Sequence, residues 1–432
     1  MINPINCELT TLANGLRVVS APLPQVASVA LGLFVGVGGR HETPAQAGMS
    51  HFIEHLLFKG TRRLTARQIS DAIEGRGGYF NAYTQEESTC YYARVQARHL
   101  ERVADILLDM YREPRIAPRD LEKERGVIIE EILMYRDQPD HVVAEWIGEL
   151  LWTAHPLGRP LSGEPEDIRR HSRADLLAFK EAHYVPNRTL AICAGQVRHA
   201  DWVALLDKRL GRQTAAPALR PPTVTRRTRQ TPLRTATRPI EQTHLALGFR
   251  LDFGRRDPRR YALRLLNVLL GENMSSRLFQ SVRERRGWAY AIHSHAQLFQ
   301  ETGALEVGAD LRRDRAEPAL GVILGELQRL CDTPVRPAEL RRAKDYAIGQ
   351  LLLALENTSA VMRALGEGLL AHERIVQPAE IVAGLEAVTP AELQALARTV
   401  FLAPRASLAV LTPEANPLAP DRAHTLLARL NA

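Results

Sequence analysis

Cysteine is scarce: four residues in 432, at Cys7, Cys90, Cys193 and Cys331, with no CxxC pair among them. That spacing excludes a disulfide-stapled scaffold and a cysteine-ligated zinc site. It suits a reducing compartment, so the thiols read as small buried hydrophobes and the expected location is cytoplasmic. No run of about 18 apolar residues occurs, which argues against a membrane-spanning helix. The first eleven residues lack the basic patch and apolar stretch of a secretory signal. Acidic residues are missing from 212–238, a stretch that holds seven arginines and so accounts for a charge excess as large as the chain's formal net +7. An arginine-, proline- and threonine-rich stretch of this kind reads as a solvated connector. No nucleic-acid-binding motif accompanies it, so neither nucleic acid nor membrane is an expected partner.

What remains is an ordinary globular composition, 45% apolar and 24% charged, long enough for two to four domains. Three prolines within 217–222 disfavour helix and central strand and mark a linker. They divide the chain into halves at 1–212 and 223–432, with 213–222 between them. The halves echo each other. Val29 to Phe34 followed by Gly39-Arg40 resembles His244 to Phe249 followed by Gly254-Arg255, at one constant offset, as expected of a duplicated unit. Each apolar run leads to a helix-period segment, Ala45 to Phe58 in one half and Arg260 to Leu270 in the other. Gly78 to Thr84 and Ser88 to Val95 read as paired strands. Leu100 to Arg112 and Asp120 to Arg136 carry helical spacing. Strand and helix blocks without regular βαβ alternation predict an α+β fold.

His51-Phe-Ile-Glu54-His55 is the most informative stretch. Met49, Phe52, Ile53, Leu56 and Leu57 give it an apolar helical face, and Gly60 is placed to end the helix. Residues four apart lie about 40° apart on one face, so both imidazoles can point at one metal ion while Glu54 flanks it. This is the HxxEH arrangement, the reverse of HExxH. A catalytic zinc takes three protein ligands and an open position, so a carboxylate from elsewhere must complete the set. The helix Asp120 to Arg136 offers Glu122, Glu124, Glu130 and Glu131, of which Glu124 and Glu131 share a face.

The stretch His51 to Thr61 resembles the active-site helix of the pitrilysin family of zinc peptidases, most closely the mitochondrial processing peptidase β-subunit and its bacterial relatives. That resemblance implies Glu131, in Val127-Ile-Ile-Glu-Glu131, as the distal ligand, at the family's separation from His55. It implies Glu124 as the acidic residue beside the metal; Glu130 points about 100° away. Gly78 to Thr84 is similar to the family's substrate-pairing strand, which makes Asn81, Ala82 and Thr84 substrate-binding candidates. Pro156 to Gly158 and Tyr184 to Asn187 resemble later signatures. Met274 to Phe279 and Arg283 to Tyr290 resemble the substrate-side motif, with Arg283 holding substrate and Tyr290 facing the metal. With Gly39 laid on Gly254, His51, Glu54 and His55 align with Leu266, Leu269 and Leu270, matching the family's pairing of a catalytic half with a degenerate one.

The implied fold is two duplicated halves, each a mixed, mostly antiparallel sheet packed with helices, forming a clamshell around a chamber. The implied activity is a zinc-dependent endopeptidase acting on peptides or unstructured segments, with one zinc per chain and Glu54 as general base on a zinc-bound water. Tyr290 would donate to the developing oxyanion, and Glu124 would be catalytic or would support a ligand. The partners implied are a peptide and a second subunit, either another copy or an inactive homologue. A non-catalytic assembly subunit of the same fold is the alternative.

Overall fold

The computed structural model describes residues 4–225, 232–413 and 418–430. Part of the arginine-rich stretch, 226–231, lies outside the described residues. Eleven strands are described: β1 (Glu8–Thr11), β2 (Arg17–Pro22), β3 (Ser28–Val35), β4 (Tyr79–Thr84), β5 (Thr89–Gln96), β6 (Thr189–Gly195), β7 (Leu233–Thr237), β8 (Gln242–Leu251), β9 (Ala289–Leu298), β10 (Gly303–Arg312) and β11 (Ala406–Thr412). They form two sheets, ordered β1-β2-β6-β3-β5-β4 and β7-β11-β8-β10-β9. In the first, β2 and β6 are parallel and the other neighbours antiparallel; in the second, β7 and β11 are the parallel pair. With β1 set aside, the orders and directions coincide strand for strand. The fold is α+β with duplicated halves.

The chain forms two compact units that are interleaved in sequence. One comprises residues up to 133, 159–222 and 352–378; the other comprises 134–158, 223–351 and the chain from 379 on. In the first unit β3 is buried at seven of its eight positions, because both faces of the sheet are covered. Successive side chains of a strand point to opposite faces. Val29, Leu31, Leu33 and Val35 join a core with Phe52, Ile53, Leu56, Val103, Leu107, Ile128 and Leu176. Ala30 and Phe34, on the other face, pack with Val361, Met362, Leu365 and Leu369 of the helix Thr358–His372. In the second unit Leu245, Leu247, Phe249 and Leu251 of β8 enter one core, while Ala246 meets Val142, Val143, Trp146 and Ile147 of the helix Pro139–Leu151. Each sheet is therefore closed by a helix from the other half of the sequence. Amphipathic spacing announces such helices but not the sheet they cover.

Leu100–Arg112 is helical as expected; the following helix starts two residues early, at Pro118, and runs to Arg136. Proline is well tolerated in the first turn of a helix. Cys90, Cys193 and Cys331 are buried, whereas Cys7 is only half-buried, a correction to the uniformly buried thiols expected. Residues 214–222 carry no helix or strand, yet this stretch is tied down. Asn187 exchanges hydrogen bonds with Ala216 at 2.7 and 3.1 Å, and Arg40 donates to the Pro222 carbonyl at 2.9 Å. Among the described residues no helix is long and apolar enough to cross a membrane.

Candidate metal centre

The HxxEH segment lies on the helix Met49–Leu57. Its apolar face is complete: Met49, Phe52, Ile53, Leu56 and Leu57 are at most 4% exposed. That anchorage turns His51, Glu54 and His55 to the opposite flank. The helix closes at Phe58, ahead of Gly60, which makes a bridge to Thr65 at φ +110°. Its start is built by two devices. Gly48 caps it in the left-handed region at φ +83°, where an added Cβ would stand 2.6 Å from the Ser162 carbonyl oxygen. Glu42, 3% exposed, accepts the Gly48 and Ser50 amide N–H groups at 2.8 and 2.7 Å, placing a carboxylate at the positive end of the helix dipole.

Glu131 comes from the helix Pro118–Arg136. One ligand atom from each of His51, His55 and Glu131 lies within 4.8 Å of the others, the one such cluster among the described residues. His55 Nε2 is 3.4 Å from Glu131 Oε2, and His51 Nε2 is 3.9 Å from Glu131 Oε1. Donors on a tetrahedral zinc with bonds of about 2.1 Å stand roughly 3.4 Å apart. The spacing and the two-nitrogen, one-oxygen chemistry therefore both fit that ion. Burial and the neighbouring His55 push the His51 ring down to about 4, leaving it neutral as a ligand must be. Burial also disfavours charge on His55, but hydrogen bonds to Glu131 and Glu124 and the charges of Glu131 and Glu54 outweigh it and raise its pKa.

Glu124 is 1% exposed. Its Oε2 faces His55 Nδ1 at 3.4 Å and its Oε1 accepts from Lys59 Nζ at 2.9 Å. A carboxylate behind the outer nitrogen fixes ring orientation and leaves Nε2 for the metal. Glu122 and Glu130, the other two carboxylates of that helix considered, are exposed. Glu54 is drawn upward in pKa chiefly by burial, opposed by a hydrogen bond from Thr84, whose Oγ1 lies 2.5 Å from Glu54 Oε2.

β4 is an edge strand, last in its sheet. Phe80, Ala82 and Thr84 share the face that meets the metal helix, with the Phe80 and Phe58 rings 5.3 Å apart. Tyr79 and Tyr83 take the opposite face, where their hydroxyls contact Ser359 and Glu367, each at 2.9 Å. Asn81, on that second face, folds its Oδ1 back onto the Ala82 N–H at 2.9 Å. Arg283 and Tyr290 belong to the other unit. Arg283 lies 5.8 Å from the Tyr290 ring centroid, and Tyr290 is 73% exposed. Leu266, Leu269 and Leu270, the counterparts of the donor residues, are buried in that unit's core. Sequence reasoning passed over Lys59 and Glu42. Lys59 could have been found from its place one helical turn beyond His55; Glu42 offers no periodic signal.

The profile described as Insulinase (Peptidase family M16) matches residues 17–165, and that of the Peptidase M16 inactive domain matches 170–346. A Mycobacterium leprae protein named as an uncharacterized zinc protease is 38% identical over 414 residues, covering 94% of this chain and 92% of its own length. The chain belongs to peptidase family M16. A Bacillus subtilis member, also named an uncharacterized zinc protease, is 35% identical over 410 residues, covering 94% of this chain and 98% of its own. Among solved structures, a protease from Helicobacter pylori superposes with a TM-score of 0.88 at 23% identity, covering 95% of this chain and all of that one. A Pseudomonas fluorescens protein described as a peptidase M16 inactive domain gives 0.86 at 18%, covering 95% of this chain and 99% of its own. These two likenesses speak to the M16 fold. Within this M16 chain both histidines, Glu54, Glu124 and Glu131 fall in the insulinase-matched part. The buried leucines fall in the part matched as inactive.

Proposed function

We propose that the protein is a zinc-dependent endopeptidase that hydrolyses peptides or unstructured protein segments bound in extended form along β4. The observation that carries the reading is the convergence of His51, His55 and Glu131 within 4.8 Å of one another, on two helices well separated in sequence. Bound there, zinc would supply Lewis acidity, lowering the pKa of a coordinated water and polarising the scissile carbonyl. Glu54 takes the proton from the attacking water and passes it to the leaving amine. Glu124 holds the outer nitrogen of His55, and Lys59 balances the buried charge of Glu124. The free edge of β4 offers backbone pairing with little demand on substrate sequence.

The test is a quenched unstructured peptide together with metal analysis. Wild-type protein carries about one zinc per chain and cleaves in a chelator-sensitive way. Glu54→Gln keeps its metal and loses about 10²–10⁴-fold in kcat, the usual worth of a positioned base. Cleavage by Glu54→Gln at the wild-type rate would overturn the mechanism. A zinc-loaded wild type that cleaves nothing would mark a non-catalytic subunit instead.

A further inference from the structure

The Thr84–Glu54 contact joins residues 30 apart in sequence, one on a strand and one on a helix. An ionised carboxylate only accepts hydrogen bonds, so the hydroxyl of Thr84 is the donor, and at 2.5 Å the bond falls in the charge-assisted range. Among the described residues it is the hydrogen bond that the Glu54 side chain makes. The donor is itself rigid. Thr84 ends β4 in register with Thr89, and the Gln85 amide closes the turn onto the Ser88 carbonyl at 2.8 Å. Thr89 in turn donates its hydroxyl to the Val37 carbonyl at 2.9 Å. A β-branched side chain on such a strand has little χ1 freedom. Glu54 has three side-chain torsions and emerges on the flank of its helix that the core does not grip.

We propose that Thr84 is a positioning residue for the general base and not a substrate binder: its hydroxyl pins one oxygen of the Glu54 carboxylate and leaves the other aimed at water. The proposal rests on the endopeptidase reading above. A hydroxyl hydrogen committed to Glu54 is not offered to a peptide, and the edge of β4 can hold an extended chain through its backbone alone. Pinning one oxygen removes the rotamers in which Glu54 swings away from the metal ligands, so its effect falls on turnover and not on substrate affinity.

Thr84→Val keeps the shape and deletes the donor; Thr84→Ser keeps the donor. In Thr84→Val the zinc content stays at the wild-type level, kcat falls at least about tenfold and KM stays within about twofold. Thr84→Ser recovers kcat to within about threefold of wild type. On metal-free protein, Thr84→Val lowers the melting temperature by about 3 °C in the wild-type background and has no effect in Glu54→Ala, since the bond it deletes is already gone. A Thr84→Val enzyme with unchanged kcat and raised KM would make Thr84 a substrate contact and overturn the proposal. So would additivity in the metal-free cycle. A wild type that fails to cleave sinks the endopeptidase reading alone, because the melting cycle reads the Thr84–Glu54 coupling without turnover.

Discussion

Removing the metal should soften the first unit, because the ligands come from two helices. His51 and His55 sit on one helix and Glu131 on another, so an ion bound by all three cross-links two elements that lie far apart along the unfolded chain. Binding confined to the native state adds about 4 kcal/mol at a free zinc concentration of about 1,000 times Kd. A cooperative block of about 150–250 residues shifts roughly 2–4 °C per kcal/mol. Chelation should therefore lower the melting temperature by about 8–16 °C, read by calorimetry at buffered free zinc and then with excess chelator. Loss of the ion also exposes the repulsion between Glu131 and Glu54, which already helps to raise the Glu54 pKa. His55→Ala should melt where chelated wild type does and ignore the chelator. Glu130→Gln changes the exposed neighbour of Glu131 on the same helix and should keep the whole shift. A wild type whose melting point moves by less than about 1 °C on chelation, or a shift that survives Glu131→Gln but disappears in Glu130→Gln, refutes the reasoning.

Acid should destabilise the fold through two histidines outside the metal centre. His41 is pushed down to about 4 by burial and by Arg40, and its Nδ1 accepts the Gly38 N–H at 3.2 Å; His183 is pushed down to about 4 by burial and Arg188, whose guanidinium donates to its Nδ1 at 3.2 Å. Both rings are neutral in the fold and bind protons more readily once unfolded. Their contribution is thus intact above the unfolded value near 6.5 and is lost as pH falls from there towards 4, by about 1–3 kcal/mol each after allowance for partial exposure. Urea midpoints at pH 7 and 5 should differ less in His41→Gln than in wild type, and an equal difference in both would count against this account. Glu42→Ala leaves the Gly48 and Ser50 amides without their acceptor and should cost about 2–3 kcal/mol, with Glu42→Gln intermediate; denaturant midpoints decide, and an unperturbed Glu42→Ala would show that the helix start holds itself.

Periodicity carried far in this chain. The i, i+3, i+4 spacing of Met49, Phe52, Ile53, Leu56 and Leu57 placed the metal helix because one packed face is all such a pattern needs to encode. The β-branched and aromatic content of 78–84 and 88–95 located β4 and β5 to within one residue at each end. The likeness between halves that showed as a few shared residues reappears as one strand order built twice. Contacts between distant segments were not legible in the same way. Nothing local to Thr84 announces that its hydroxyl meets Glu54, since that depends on how β4 lies against the metal helix. The crossing of Pro139–Leu151 and Thr358–His372 between the two halves of the sequence stayed hidden too, because their apolar faces would suit either sheet. After Asn267 the expected helix continues to Glu272 as a π-helical stretch, a widening that no spacing in the sequence marks.

The duplication also shows what the metal centre costs. At matched positions one unit buries Leu266, Leu269 and Leu270 at no more than 3% exposure, while the other carries two histidines and a glutamate. Burying a leucine contributes about 1.5–3 kcal/mol, so three of them set an upper bound of about 5–9 kcal/mol on what the donor-bearing helix forgoes, the His51 and His55 side chains being themselves only 14% and 21% exposed. Its C-terminal end makes up part of that difference. Lys59 neutralises Glu124 beyond the last turn, whereas the start is alike in both units: Glu42 accepts two amides there, and its counterpart Asp257 accepts the Arg259 amide at 2.8 Å. The leucine-bearing helix has no donor set to hold and packs its flank into the core. Comparing the two units in one chain, at one strand order, separates what recurs in this helix from what the donor set adds: the apolar face and an acidic residue at the helix start, Glu42 in one unit and Asp257 in the other, recur, and Lys59, Glu124 and Thr84 are the residues that stand around the donor set.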